Sequence, residues 1–190
     1  MTTDPIRDKK QLKALAGYWL KRRNFRNYAL IVLGFYTALR IGDLLRLRWA
    51  DVYDFDTGAF RTHIAITEKK TGKQRMIVLH DKAAHALRLW LETPSRRGDY
   101  IFSNNRKKAA AISRIQAWRV ITEAAKAIKA VGRIACHSLR KSFGYIAYKS
   151  GVSSVMLMFI FKHSCFEITK VYLGITQEEQ DQVFLSMDVF

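Results

Sequence analysis

Two apolar runs set the first limit on what this chain can fold into. "YALIVLGFYTAL", from Tyr28 to Leu39, and "VMLMFIF", from Val155 to Phe161, are nearly free of polar side chains. Both fall short of the roughly 18 residues that a membrane-spanning helix needs, and the polar start "MTTDPIRDKK" does not have the pattern of a signal peptide. The runs therefore read as helices buried in a core. A chain of 190 residues with 49% apolar composition can build that core within one domain, or one large domain with a small appendage.

The rest of the chain alternates between helical and extended texture. Leu12, Leu15, Trp19 and Leu20 recur at helical spacing over residues 9 to 22, and a second, more apolar helix is expected from about Phe25 to Leu39. Gly42 and Asp43 then interrupt the run and "DLLRL" resumes it, which puts Arg40 at a turn opening a helix N-terminus, a place suited to an anion. From Val52 to Leu79 the pattern changes: "DTG" marks a turn, Phe60, Ile64 and Ile66 share one parity, and "RMIVL" is β-rich. A small antiparallel sheet is expected, with "EKKTGKQ" as its polar loop, carrying Lys69, Lys70 and Lys73.

Helical periodicity returns near residues 81 to 91 and again near 109 to 130, where Ile112, Ile115, Trp118, Ile121, Ala125 and Ile128 form a structural stripe. "HSLRKSFGYIAYKSG" forms the next helix, closed by Gly151, and Ser153 can cap the one after it. Two S/T-x-x-E capping boxes follow, Ser164 with Glu167 and Thr176 with Glu179. They predict two short final helices, one carrying Tyr172 and the other displaying Val183, Phe184 and Met187. The fold class expected is mainly α with a small antiparallel β-sheet.

Charge narrows the partner. Lysine and arginine number 33 against 16 acidic residues, a formal charge of +17. Such a body repels itself unless a polyanion relieves it, so nucleic acid is the first partner to consider. Basic residues cluster in "KRRNFR" at 21 to 26 and "RKK" at 106 to 108, whereas the segment from Thr176 onward has acids and no lysine or arginine. Cys136 and Cys165 cannot form a disulfide framework, and no Cys/His spacing suggests zinc, so the expectation is a reduced, cytoplasmic protein with no metal and no cofactor.

His137 and Arg140 lie three apart on one helix, and residues so spaced are surface neighbours. Neither fills a core well; both hold phosphate oxygens well. In chain order the candidates are Arg40, Lys70, His137, Arg140, His163 and Tyr172. Alone, each has a structural explanation, as a surface charge, a satisfied histidine or a packed ring. Together, in order and spacing, they resemble the catalytic domain of the tyrosine recombinases, the phage integrase family. "TALRIGDLLRLRW" resembles the first arginine box, "KTGKQR" the hairpin lysine, "HSLRKSF" the H-x-x-R box and "KHSCFEITKVYL" the His-to-Tyr segment.

The resemblance implies the catalytic-domain fold of that family and a site-specific DNA recombinase. Tyr172 would attack a phosphodiester to leave a 3'-phosphotyrosyl bond and a 5'-hydroxyl, with Arg40 and Arg140 binding the charged transition state. Lys70 would be the general acid, Lys69 being the alternative one residue away, His137 would assist proton transfer from the tyrosine, and His163 would donate to the phosphate. The implied partners are double-stranded DNA, a homotetramer on paired sites, and DNA-bending accessory proteins. Two other readings stand beside it: a type IB topoisomerase, which shares the chemistry, and a DNA-binding regulator with a degenerate site.

Two departures from the family pattern are visible. Where the family has Leu-Gly-His, this chain has Phe161, Lys162 and His163, a bulky cation at a glycine position. Only about 30 residues precede the arginine box, so the helical DNA-clamping domain that commonly comes first is missing, and a short single-domain recombinase is expected rather than an excised catalytic domain. Residues 1 to 175 would form the catalytic domain. Residues 176 to 190 would form an acidic helix that docks on a neighbouring protomer or folds back onto its own domain.

Overall fold

The computed structural model describes residues 3–67, 72, 74–94, 98–104, 110–174 and 177–187, with the backbone alone at 178–180. Two compact units divide it, Met1–Phe143 and Gly144–Phe190.

The N-terminal unit is built around the first apolar run. Helices α1 (Lys9–Lys21) and α5 (Asp81–Leu91) pack against α2 (Phe25–Thr37), and α6 (Arg114–Ala127) packs against α1 and α2. Asp8 and Asn24 cap α1 and α2 by accepting from Lys10 N and Asn27 N. Leu30, Ile31 and Leu33 of α2 are all but completely buried, as an almost wholly apolar helix must be. Trp19, Trp49 and Trp90 fill the surrounding core, and the indoles of Trp19 and Trp90 donate to the carbonyls of Val120 and Ile101.

After α2 the chain turns through Ala38 into the short helices α3 (Ile41–Leu44) and α4 (Trp49–Val52). Two separate antiparallel pairs follow where one sheet was expected. β1 (Tyr53–Asp54) pairs with β2 (Ala59–Phe60), and β3 (His63–Thr67) with β4 (Gln74–Val78), the latter in register from His63↔Val78 to Thr67↔Gln74. Ile64 is buried on the inner face of its pair, while Met76 and Val78 face solvent.

α6 is shorter than its periodicity suggests. It begins after Ser113, whose hydroxyl accepts from Gln116 N while Gln116 Oε1 accepts from Ser113 N. Ile121 and Ala125 are buried as expected, but Ile115 and Trp118 are exposed, 64% and 49%. Residues three apart advance about 300° around a helix, so a stripe stepping in threes drifts about 60° per step off the buried face.

Helix α7 (Cys136–Lys149) begins in the N-terminal unit and ends in the C-terminal one. It meets α2 closely at Gly34, where an added Cβ would lie 2.8 Å from Leu139 Cδ1. In the C-terminal unit the approach is as close at Gly144, where a Cβ would lie 2.8 Å from Phe161 Cζ. Gly151, at φ +89°, ends α7, and Ser153 caps α8 (Ser154–Phe161) by accepting from Met156 N, both as the sequence predicts.

α9 (Phe166–Leu173) and α10 (Gln177–Leu185) complete the chain. The Ser164 box does not form: α9 starts one residue later, with Cys165 at its cap and without a side-chain cap bond. Thr176 lies outside the described residues. On and just beyond α10, Val183, Phe184, Leu185 and Met187 are all more than half exposed. Among the described residues no helix is long and apolar enough to cross a membrane.

Candidate active site

The two arginines are brought together by the end of α2. Ala38 closes that helix in the left-handed conformation, φ 49°, with its N–H donating to Phe35 O. Two residues on, Arg40 occupies the N-cap of α3. Arg140, 1% exposed and lying on α7, donates from Nη1 to the carbonyl of Ala38. One guanidinium thus fixes the turn that carries the other. Burying an arginine is tolerable only with such partners, and the return is a fork of donors held in a fixed position.

His137 precedes Arg140 by one turn. Partial loss of water around its ring, then the charges of Arg140, Lys141 and Arg40, push its pKa below the ordinary 6.5. The three cations add to that loss of water in the same direction. A neutral imidazole beside two guanidiniums can accept a proton at neutral pH. Cys136, next to it, is unsuited to ionise: burial raises its thiol pKa to about 11.

Lys70 lies outside the described residues, as does Lys69. The strands on either side are in place, and Arg46 anchors one of them by donating from Nη2 to the carbonyl of Thr67 at 3.0 Å while pairing with Asp43 at 2.8 Å. That ties the last residue of β3 to α3, the helix whose cap is Arg40.

In the C-terminal unit, His163 and Tyr172 are neighbours. Their ring centroids are 4.7 Å apart and near perpendicular, and Phe161 stacks on His163 at 5.2 Å and leans on Tyr172 at 5.2 Å. Tyr172 is 9% exposed. His163 Nδ1 shares a hydrogen bond of 3.0 Å with Thr169 Oγ1, a fully buried hydroxyl, which leaves Nε2 as the ring's other polar atom. Lys162, at the position where a glycine was expected, adopts the left-handed conformation, φ 52° and ψ 44°, as the C-cap of α8, and its ammonium lies 4.0 Å from the centroid of Phe159. A glycine would suit that backbone without strain.

Thr169 was not foreseen from sequence, although its spacing of three from Tyr172 puts both on one face of α9. Among the described residues no three His, Cys, Asp or Glu side chains cluster as metal ligands.

Comparisons with known proteins agree on one group. The profile described as the phage integrase family matches residues 7–179. The chain is 34% identical over 174 residues to the probable integrase/recombinase YoeC of Bacillus subtilis (strain 168), covering 92% of this chain and 91% of that one. It is 30% identical over 158 residues to tyrosine recombinase XerD of Mycobacterium tuberculosis (strain ATCC 25618 / H37Rv), covering 80% of this chain and 48% of that one. It thus spans nearly all of the first relative and about half of the second. Among solved structures, the XerA recombinase superposes with a TM-score of 0.77 at 20% identity, covering 100% of this chain and 68% of that one. The XerH site-specific recombinase, in a post-cleavage complex with its palindromic difH substrate, superposes with a TM-score of 0.75 at 18% identity, covering 97% and 53%.

Proposed function

Because the chain belongs to the phage integrase family, we propose that it is a site-specific DNA recombinase that breaks and rejoins strands through a 3'-phosphotyrosyl bond to Tyr172. The observation that carries the reading is the Arg40–Arg140–His137 cluster: two guanidiniums and a histidine kept toward its neutral form, linked through one backbone turn. A transition state of phosphoryl transfer needs this combination, fixed positive forks for the nonbridging oxygens and an acceptor for the nucleophile's proton.

Tyr172 Oη attacks the phosphorus, forming the tyrosyl–phosphate bond as the bond to the 5'-oxygen breaks. The phenolic proton passes to neutral His137, and Lys70 protonates the departing 5'-oxygen. Arg40 and Arg140 hold the nonbridging oxygens, and Nε2 of His163 donates to one of them, its ring oriented by Thr169. Attack by a different 5'-hydroxyl reverses each step and exchanges strands. The phosphotyrosyl bond conserves the phosphodiester, so no nucleotide cofactor is required.

The DNA-bound state of XerH and the charge of +17 support double-stranded DNA as substrate. Residues 176–190 dock on a neighbouring protomer and hold four protomers on paired sites. The exposure of Val183, Phe184, Leu185 and Met187 supports that role, since they are large apolar side chains that their own unit leaves uncovered. DNA-bending accessory proteins complete the assembly at sites whose pairing requires a bend.

The test is covalent capture. Labelled duplexes drawn from the DNA flanking the protein's own gene are incubated with it and resolved under denaturing conditions. A protein–DNA adduct is expected with the wild type in excess EDTA and not with Tyr172→Phe; an adduct that survives the substitution, or that requires magnesium, overturns the reading.

A further inference from the structure

The helix that carries His137 and Arg140 is gripped from the N-terminus of the chain, by residues that precede the 7–179 span of the family profile. Asp4 N donates to Arg133 O at 3.0 Å, and Arg133 N returns a bond to Asp4 Oδ2 at 2.8 Å. Ile6 is fully buried, and its N–H donates at 2.7 Å to Ser142 Oγ, which itself donates to Ser138 O at 2.6 Å. Lys141 Nζ donates to the Thr3 carbonyl at 2.5 Å. These contacts fall on both sides of His137 and Arg140, at the entry to α7 and one turn beyond its start.

Lys141 is the unusual member. It is 6% exposed, and lysines are almost never buried without a compensating partner. The Thr3 carbonyl is one partner that this ammonium has in place of water, so the place of residues 3–6 and the place of Lys141 are linked. Ser142 adds a neutral bond to the same strap.

We infer that residues 3–6 form a strap that sets the position of α7, and that Lys141 is the positioning residue through which the strap holds His137 and Arg140 in register with Arg40. This rests on the reading of those three residues as the phosphate-handling group. The charges around His137 agree with such a role: Lys141 and Arg140 face it from its own helix and Arg40 from the cap of α3, all lowering its pKa, while Asp4 faces Lys141 from the strap.

The test compares Lys141→Met, Lys141→Arg and Ser142→Ala in the full chain, measuring single-turnover adduct formation at saturating duplex, duplex affinity, and the pH dependence of the rate at subsaturating duplex, which reports the free protein. Lys141→Met is expected to slow adduct formation on the order of ten- to a hundredfold, the scale of a small misplacement of reacting groups, with affinity changed less than about threefold. Its acid limb should move up toward the ordinary histidine value, because one cation beside His137 is gone. Lys141→Arg should recover most of the rate and return the limb. Ser142→Ala should slow the reaction without moving the limb, since it loosens the strap and changes no charge.

Wild-type rates in both Lys141→Met and Ser142→Ala, or affinity falling in step with rate, overturn the inference. If Lys141→Met does not fold, Ser142→Ala decides it alone: a slowed rate at unchanged affinity and pH limb sustains the strap, and a wild-type rate removes it. An adduct that depends on Tyr172 but ignores Lys141 and Ser142 sinks the strap only. An adduct that forms without Tyr172 sinks the recombinase reading itself.

Discussion

Arg140 and Tyr172 are both nearly sealed from solvent, 1% and 9% exposed, but they are buried by different means. Arg140 lies on a 14-residue helix and is held by a hydrogen bond to the backbone of another element, the carbonyl of Ala38. Tyr172 lies on an eight-residue helix and is held by rings, Phe161 and His163. The helices that carry this aromatic platform end in left-handed residues, Lys162 and Gly174, and leave Val155, Met156, Phe159 and Val171 more than half exposed. Donors aimed at developing charge work best when they need no reorganisation, so fixed hydrogen bonds suit the arginines. Under the proposed function Tyr172 must be placed accurately, and a platform with uncovered apolar surface is one that another surface can complete.

Tyr172→Phe should break the comparison most completely. It removes one oxygen from a ring whose packing is unchanged, so the covalent adduct should vanish while the urea midpoint and duplex affinity stay near wild type. Arg140→Ala should do the reverse in kind, lowering both activity and stability. Adduct formation should fall about a hundred- to a thousandfold, and unfolding free energy should drop several kcal/mol, roughly 3 to 5, because a buried hydrogen-bonded cation is replaced by an empty space and Ala38 loses its donor. If Arg140→Ala unfolds at the wild-type urea midpoint, the arginine half is not held by that bond.

How much of this was legible depends on how local the signal is. The apolar run of α2, the H-x-x-R spacing on α7, and the caps at Gly151 and Ser153 are each written within a few residues, and each stands where the sequence puts it. The Ser164 box failed because Lys162 turns left-handed and His163 N reaches back to Met158 O, which delays the start of α9. The start of α6 is equally local, since Ser113 and Gln116 spell a capping box. Contacts such as Lys141 with Thr3, 138 residues apart, leave no local pattern at all.

pH should separate the units next. His137, with its pKa lowered, binds fewer protons folded than unfolded between the lowered value and 6.5, so its unit gains stability as pH rises through that window and loses it as pH falls. The acid limb of adduct formation at subsaturating DNA should lie below 6.5 for the same reason. Arg40→Ala removes a cation and should move the limb upward. A limb that stays in place would mean that Arg40 is not felt by His137 in solution.

Two glycines give a smaller and sharper contrast. A Cβ at Gly34 would meet the ends of Leu139 and Leu44, at 2.8 and 3.2 Å, and flexible leucine tips can yield. A Cβ at Gly144 would meet Phe161 Cζ and Cε2 at 2.8 and 2.9 Å, a rigid ring already pressed by His163 and Tyr172. Alanine gains about 1 kcal/mol of helix propensity at either place. Gly34→Ala should therefore stay within about 1 kcal/mol of wild type, whereas Gly144→Ala meets overpacking of about 1 to 3 kcal/mol and should also slow adduct formation by shifting the platform under Tyr172. Equal urea midpoints for the two variants would mean the aromatic platform is as pliable as the leucine contacts.

The smallest effect is expected at Lys162. Its left-handed backbone is disfavoured by about 1 to 2 kcal/mol for a side chain with a Cβ, and the contact of its ammonium with Phe159, at 4.0 Å, returns about 0.5 to 1 kcal/mol. Lys162→Gly relieves the first and forfeits the second, and it also widens the conformational freedom of the unfolded chain, which works against the gain. The net should be a stabilisation of less than about 1 kcal/mol in urea unfolding, with Lys162→Asn, which tolerates the same backbone but lacks the ammonium, falling between glycine and wild type. If glycine instead destabilises by more than about 1 kcal/mol, the cation on Phe159 outweighs the strain. The C-terminal unit would then be tied by a side-chain contact much as Arg140 ties the other, and the difference between the two units would narrow to the hydrogen bonding of Arg140 to the backbone at Ala38.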